Sequence, residues 1–341
     1  MESDARRQSD HDPQPPVHAP AVEGVVCAVV INWNGWRDTI GCVQSLLDLD
    51  DAPLQILVCD NASGDGSLTQ LQAWLDAHGA LRGAAGCAME WRTDGGRLHG
   101  TVRIRLLALA QNLGYAGGIN AGIDWAQAHW QQAFFWLLNN DIEAQPGALR
   151  ALLDAHARVP GAGICGSVLF DWDHPGQVQA VAGIYRRWLG VGFHATALPA
   201  GSGDVCLDLD YPVGASMLVA QDYLQRVGQI EASYFLYYEE MDWVERGRRH
   251  GYRPVVALGS RLRHREGAST GSGGGVRHKS LLSERYGVIN RLRITRRFWP
   301  WYLPVVWLSL LVVAGDRLVH REFARAALVL RLMFSPRLWL S

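Results

Sequence analysis

Phe134-Phe-Trp-Leu-Leu-Asn-Asn-Asp-Ile-Glu143 is the stretch on which the reading of this chain turns. Its opening apolar run suits a strand buried on both faces. The run ends in two amides, and carboxylates follow at Asp141 and Glu143. In an extended segment, positions i and i+2 point to the same side. Two carboxylates converging where a strand leaves the core suit a hard divalent cation, which takes oxygen ligands. A cation there can hold a diphosphate. The competing reading is a polar loop after a strand, since loops collect acidic residues without any such role.

Upstream, Val25-Val-Cys-Ala-Val-Val-Ile31 is a continuous, largely β-branched run and predicts a buried parallel strand. Asn32-Trp-Asn-Gly35 is a turn, and Trp36 to Leu49 has helical periodicity. Leu54 to Cys59 predicts a second strand. Asp60-Asn-Ala-Ser-Gly-Asp-Gly66 then leads into a helix through His78. Val102 to Leu109 predicts a third strand, followed by a glycine-rich turn and a helix from Gly117 to His129. Such alternation implies an α/β fold, a mostly parallel sheet with helices on both faces. Gly79 to Gly100 reads as a loop or small insertion, and Gly183 to Gly203 as a mobile excursion. Tyr211 to Val219 and Pro254 to Leu258 predict further strands. Glu239 to Gly251 predicts a helix with acids in its first turn and Arg246, Arg248, Arg249 and His250 in its last, matching the macrodipole. Ser269 to Gly275 has the composition of a flexible loop.

The 341 residues, 48% hydrophobic, are enough for a large core. A formal net charge of -1 gives no argument for a nucleic-acid partner. Cys27, Cys42, Cys59, Cys87, Cys165 and Cys206 are scattered without a C-x-x-C pair, so they read as small buried hydrophobes in a reduced compartment. Residues 1–23 read as a disordered tail. They carry no secretory signal, and a cytoplasmic location is expected.

Toward the C-terminus, Arg285, Arg291, Arg293, Arg296 and Arg297 lead into an apolar run from Phe298 to Gly315. The run is short for a span, and Pro300 and Pro304 interrupt its start. Its tryptophans and tyrosine, with arginines before them, suit a membrane interface with anionic lipid. Phe323 to Trp339 alternates apolar residues with Arg325, Arg331 and Arg337, as an amphipathic helix on lipid would. Lying on the membrane, spanning it, and capping the core are all compatible with these lengths.

Seven segments in order resemble the GT-A glycosyltransferases of family 2, most of all their bacterial rhamnosyltransferase-type branch. They are VVINWNG (29–35), VCDNASGDGS (58–67), NLGYAGGINAGI (112–123), LLNNDIE (137–143), PVGASMLV (212–219), YFLYYEEMDW (234–243) and LRHREGAS (262–269). The resemblance covers roughly residues 25–290. It implies a GT-A fold with a nucleotide-sugar-binding half (24–165), an acceptor-binding half (166–278) and a C-terminal membrane-associating segment (279–341). It also implies transfer of a sugar, with inversion, from a nucleotide diphosphate donor to a hydroxyl of a glycan or lipid-linked acceptor at the inner face of the cytoplasmic membrane. L-rhamnose from dTDP-rhamnose is the expected sugar, with a UDP- or GDP-linked hexose as the alternative.

The resemblance also assigns residues. Asp60 matches the carboxylate that bonds the nucleobase, and an acceptor-only carboxylate suits the imide N–H of uracil or thymine. Asn32 ends the first strand, where ligands bind in open α/β sheets. Asn112, Gly114 and Gly117 lie in the next such turn, where glycines either let backbone approach the donor or serve the turn alone. Asp141 matches the last acid of a D-x-D-type motif whose first position here is Asn139. Asp141, Glu143 and His264 match positions that ligate Mn²⁺ or Mg²⁺ in relatives, the ion acting as a Lewis acid on the leaving diphosphate. Glu240 matches the catalytic base, with Glu239 adjacent and able to exchange roles with it, and Asp242 orienting neighbours. Acids in a first helical turn are also ordinary capping chemistry.

Two other classes lack their signatures. A Rossmann dehydrogenase needs G-x-G-x-x-G at the first strand–helix turn, and a P-loop enzyme needs G-x-x-x-x-G-K-[ST]. Neither string occurs in its place. A non-catalytic nucleotide-sugar-binding protein shares the fold without the chemistry.

Overall fold

The computed structural model of the protein describes residues 25–49, 53–78, 81–83, 86–92, 98–199, 203–265 and 280–340. Strand β1 (Val26–Asn32) leads through α1 (Trp36–Leu47) to β2 (Leu54–Asp60) and α2 (Ser67–Ala77). Strands β3 (Leu81–Gly83), β4 (Gly86–Arg92) and β5 (Leu98–Ala108) precede α3 (Gly114–His129) and β6 (Phe134–Asn139). Next come β7 (Ile142–Ala144), α4 (Ala148–Arg158), β8 (Ala162–Asp171), β9 (Val178–Ala180), β10 (Ala182–Arg186) and β11 (Val191–Ala195). The chain goes on through β12 (Val205–Cys206), β13 (Ser216–Ala220), α5 (Gln221–Val227), α6 (Glu239–Arg249) and β14 (Arg253–His264). Helices α7 (Leu281–Phe298), α8 (Leu303–Val319), α9 (Phe323–Met333) and α10 (Arg337–Leu340) follow.

One sheet runs β12-β14-β8-β13-β6-β1-β2-β5-β4-β3, with β7 beside β14 and β9 beside β8. Its centre is parallel: β1 pairs with β2 and β6, and β2 with β5. The alternation of side chains explains why these strands are apolar throughout. Val26, Ala28 and Val30 pack on one face with residues of α1, α2 and α4. Cys27, Val29 and Ile31 pack on the other with α3, α5 and α6. Both faces are core, so the period-2 pattern collapses into a continuous run. The chain steps outward through β2 and β5, then returns to place β6 on the other side of β1. The resulting switch point lies at the carboxyl ends of β1 and β6, where ligands bind in open α/β sheets. The register sets Asn32 beside Asp60, and Ile31 beside Asn139.

Several expectations are corrected. Gly79 to Gly100 contains β3, β4 and the start of β5, which extend the sheet edge antiparallel; the glycines around these short strands hid them. Gly183 to Gly203 begins as the β10–β11 hairpin, held by paired backbone and by Gly183 bonding Tyr211. The strand expected from Tyr211 starts only at Ser216, after Pro212 and Gly214. The strand from Pro254 runs on to His264 itself. The tail at 1–23 and the loop at 269–275 lie outside the described residues.

Helices α7, α8 and α9 share an apolar core of Val288, Leu292, Val306, Leu310, Val329 and Leu332. A buried ion network ties them together. Glu284 of α7 takes Arg317 of α8 at 2.9 Å and Arg325 of α9 at 2.6 Å. Of the arginines expected to face lipid, Arg285 and Arg296 are exposed, while Arg291, Arg293 and Arg297 bond within the protein. Arg291 is buried and donates to the Leu189 carbonyl and Ser309. Arg293 reaches the Leu338 carbonyl, and Arg297 pairs with Asp242 at 2.7 Å. Guanidinium forks satisfy buried carbonyls and carboxylates well, so a basic run in sequence need not face outward. Trp299 is likewise buried, and the Trp307 ring N–H donates to the Met333 carbonyl.

Candidate active site

The carboxyl ends of β1, β2 and β6 carry a network of amides around one carboxylate. Asn32 donates to Asp60 Oδ2 at 2.7 Å and accepts from Thr39 at 2.8 Å. Asp60 Oδ1 accepts the Ser63 backbone N–H at 3.1 Å. Asn140 bonds Asn32 Oδ1, the Gly35 carbonyl and Thr39. Asn61 bonds Asn112 Oδ1 and the Gly114 carbonyl, and accepts from Leu113 N–H. Sequence reasoning missed Asn61 and Asn140; each sits beside a residue it did select, and its side-chain amide is the available signal.

Gly114 has φ +74, and a Cβ there would lie 2.4 Å from the Phe235 carbonyl. At Gly117 it would lie 2.7 Å from the Leu113 Cβ. These two glycines are filled by packing within the protein, so they serve the turn. Asn139 ends β6, and its backbone N–H donates to the Ala215 carbonyl at 3.1 Å.

Asp141 lies in the turn after β6, not in an extended segment, and this breaks the expected i, i+2 convergence. Glu143 sits in β7 beside Arg263, with its carboxylate 3.5 Å from that guanidinium and accepting from Gln145 at 3.1 Å. It does not join Asp141. His264 does: β14 pairs with β7 so that His264 lies opposite Ile142, and Nε2 comes within 3.4 Å of Asp141 Oδ1. Among the described residues, no three such side chains gather as a metal site. Asp38, which feels the charge of Asp141, pairs with Arg265. Burial lifts the Asp38 carboxyl above the usual range; Arg265 opposes this and Asp141 adds to it.

The tautomer of His264 follows from its partner. Gln179 donates its amide to the His264 carbonyl at 3.3 Å, so its Oε1, 2.7 Å from His264 Nδ1, must accept. Nδ1 therefore carries the proton and, in the neutral ring, Nε2 presents a lone pair. That lone pair and Asp141 Oδ1 face each other, both buried and both without a hydrogen-bond partner. Two facing acceptors are stable only with a cation or a proton between them. The pair fits two of the ligands of a divalent ion, with Gln179 as the outer group that fixes the ring.

A second acidic group sits at the start of α6. Burial pushes the Glu240 carboxyl up to about 7. Burial and the charge of Glu240 push Glu239 well above the carboxylate range. One oxygen of each is buried without a partner. Asp242 is different: Arg246, Arg297 and Tyr234 take its oxygens at 2.8, 2.7 and 3.1 Å, so it anchors the helix. The segment before β13 links the two acidic groups. Gly214 packs beside Glu240 and accepts from the Tyr115 hydroxyl, and the next residue, Ala215, holds the end of β6.

A mostly parallel sheet with acids at its carboxyl edge is the GT-A architecture, and solved glycosyltransferases share it. A mannosyltransferase of Pyrobaculum calidifontis, in complex with GDP-Man and Mn²⁺, superposes with a TM-score of 0.51 at 13% identity, over 93% of this chain and 88% of that one. GalNAc-T7, with UDP, GalNAc and Mn²⁺, gives 0.57 at 10% identity, over 82% of this chain and half, 50%, of the other. Residues 27–181 match the family described as Glycosyl transferase family 2. The chain is 26% identical over 249 residues to the N-acetylglucosaminyl-diphospho-decaprenol L-rhamnosyltransferase of Mycobacterium tuberculosis, covering 67% of this chain and 72% of the relative. A low-salt glycan biosynthesis hexosyltransferase of Haloferax volcanii is 27% identical over 139 residues, 40% of this chain and 44% of that protein. Asp60 and Asp141 fall inside the matched span; Glu239, Glu240 and His264 lie beyond it.

Proposed function

We propose that this protein is an inverting, metal-dependent rhamnosyltransferase. It moves L-rhamnose from dTDP-rhamnose to a hydroxyl of a lipid-linked glycan at the inner face of the cytoplasmic membrane. The observation that carries the transfer reading is the facing Asp141–His264 pair at the sheet's carboxyl edge, accompanied by a buried carboxyl poised near neutrality. The choice of sugar and acceptor leans on the mycobacterial relative.

In this reading residues 24–165 hold the donor. Asp60 retains lone pairs beyond those used by Asn32 and Ser63, enough for a thymine imide N–H. Asn32, Asn112 and Asn139 frame the same edge. Asp141 and His264 hold Mn²⁺ or Mg²⁺, which when bound supplies Lewis-acid stabilisation of the leaving diphosphate. Residues 166–278 place the acceptor. Glu240 takes the proton of the acceptor hydroxyl as its oxygen bonds the anomeric carbon, and the breaking bond leaves its electron pair on the diphosphate. Glu239 stays protonated beside it, since the charge of Glu240 opposes a second ionisation. A thermal-shift panel of dTDP-rhamnose, UDP-sugars and GDP-sugars, with and without Mn²⁺, tests the donor. The expected result is a rise in Tm of the native state that is largest for dTDP-rhamnose with Mn²⁺. A larger shift with another nucleotide sugar moves the assignment to that donor.

Residues 279–341 form the membrane-associating segment. Pro300–Val319 is long and apolar enough to cross a membrane, yet one face of α8 is committed to α7 and α9 through Val306, Leu310, Ala314 and Arg317. Trp301, Val305, Leu308, Val312 and Val319 stand exposed on a single helical stripe, Val312 at 74%. A helix with one face buried in protein and the other apolar and exposed suits lying on lipid better than spanning it. Arg321, Arg331 and Arg337, also exposed, take the headgroup role that Arg291 cannot. Full-length protein is expected to sediment with phosphatidylglycerol vesicles, and Leu308→Asp with Val312→Asp to stay in the supernatant. Wild-type protein that remains in the supernatant at low salt would make the stripe a plain surface.

A further inference from the structure

The loop that delivers Glu239 and Glu240 is strained. Phe235, Tyr237 and Tyr238 have φ of 60, 70 and 72°, the left-handed region that bulky residues avoid. Such conformations persist only where the surroundings over-determine them, and they cluster at functional sites. Here the surroundings are one face of α7. Ser283 lies 3.3 Å from the Tyr237 hydroxyl. Tyr286 stacks on Phe235, with ring centroids 4.7 Å apart. Asn290, fully buried, lies at the centre: its Nδ2 is 2.7 Å from the Tyr234 carbonyl, 2.8 Å from Leu236 and 3.1 Å from Tyr237. Positions 283, 286 and 290 follow the helical repeat, so a single stripe grips the loop. From the opposite side, Tyr115 N–H takes the Phe235 carbonyl at 2.8 Å.

An amide donor suits this place. Its two N–H donors serve three carbonyls, one of them shared, and its Oδ1 faces Arg293 at 3.4 Å. A carboxylate would set acceptor against acceptor, and an alkyl group would take this donor from the Leu236 and Tyr237 carbonyls. We infer that Asn290 is a positioning residue for transfer: by clamping the carbonyls of Tyr234, Leu236 and Tyr237 it fixes where the Glu240 carboxylate meets the acceptor. The inference rests on Glu240 being the base. It assigns the first of the C-terminal helices to the reaction as well as to the membrane.

Asn290→Ala separates positioning from mere stability. Turnover of dTDP-rhamnose with Mn²⁺ is expected to fall by about 10- to 10²-fold in kcat, the cost of misplacing a reacting group by an ångström or so. Donor affinity, set at the other end of the site, should be unchanged. The acid limb of the pH–rate profile should move below its wild-type position, because a loosened loop admits water and relieves the burial that raises Glu240. The groups around that carboxyl are Glu239 on α6, Tyr115 on α3, Tyr211, and Tyr238 in the loop. None is altered by the substitution. Leu332→Ala, in the core of the C-terminal helices, serves as control: a lowered Tm with an unmoved acid limb. Asn290→Ser, which keeps one donor, should fall between wild type and Asn290→Ala.

Wild-type kcat and an unmoved limb in folded Asn290→Ala would overturn the inference. So would loss of folded protein in both Asn290 variants, which would make this a folding residue. If Glu240→Gln turns over donor at the wild-type rate, the base assignment fails first. If Glu240→Gln is inactive and Asn290→Ala fully active, the clamp alone is wrong.

Discussion

Glu240→Gln is expected to lower sugar transfer by about 10²–10⁴-fold while donor binding persists, the range for loss of a general base. The substitution is nearly isosteric and removes only the ability to take a proton. Burial holds the Glu240 carboxyl at about 7, so the ionised fraction that can act as base falls as pH drops through that value. Wild-type kcat should therefore fall on the acid side of about 7, and the residual rate of the Gln variant should not follow that limb. The same shift has a consequence for stability. A carboxyl raised from 4.5 in the unfolded chain to about 7 when folded contributes stability that is fully present below 4.5 and is lost as pH rises through about 7. Glu240→Gln should thus melt higher than wild type at pH 8, with the difference fading toward pH 5. A variant more stable at alkaline pH but nearly inactive would carry the mark of a functional residue, since active sites hold destabilised groups. Should Glu240→Gln transfer normally and Glu239→Gln fail, the base is Glu239. Retained anomeric configuration in the product would reject direct displacement itself.

How much of this was legible in the sequence depends on whether a feature is local. The parallel strands β1, β2 and β6 were readable because burial on both faces leaves an unbroken apolar string. The Asn32–Asp60 contact was not. It is made by a parallel register between strands 28 residues apart, and no local pattern records that register. Asn61 and Asn140 carry no local pattern that marks them, and their network appears only when three strand ends meet. The pairing of Asp141 with Glu143 assumed an extended backbone, and one turn at Asn140 and Asp141 removed it. His264 came from the resemblance, but the group that fixes its tautomer, Gln179, is 85 residues away and belongs to a strand that the sequence does not announce. The arginines before α8 illustrate the same limit. Charge in sequence gives no direction, and here Arg291 and Arg297 turn inward to a carbonyl and a carboxylate.

Asp141→Ala is expected to abolish transfer, by about 10³-fold or more, and to remove the response to Mn²⁺. A bound divalent ion supplies several kcal/mol of charge stabilisation to a leaving diphosphate, and each ~1.4 kcal/mol is tenfold in rate. The geometry allows the ion to be examined apart from catalysis. With His264 Nδ1 protonated toward Gln179, the space between Nε2 and Asp141 Oδ1 holds either a proton, giving an imidazolium–carboxylate pair, or a cation. Mn²⁺ affinity is measured by calorimetry on wild-type protein without donor. Gln179→Leu provides the sharper comparison. It leaves both facing atoms in place but removes the acceptor that holds the ring, and loss of such an outer partner costs about 10- to 100-fold in metal affinity. Asp141→Ala should bind Mn²⁺ more weakly still, and dTDP should lose its Mn²⁺-dependent tightening in both variants. Equal Mn²⁺ affinity in wild type and Asp141→Ala, or undiminished transfer in excess EDTA, would leave the proton as the occupant and the diphosphate to be neutralised by side chains alone.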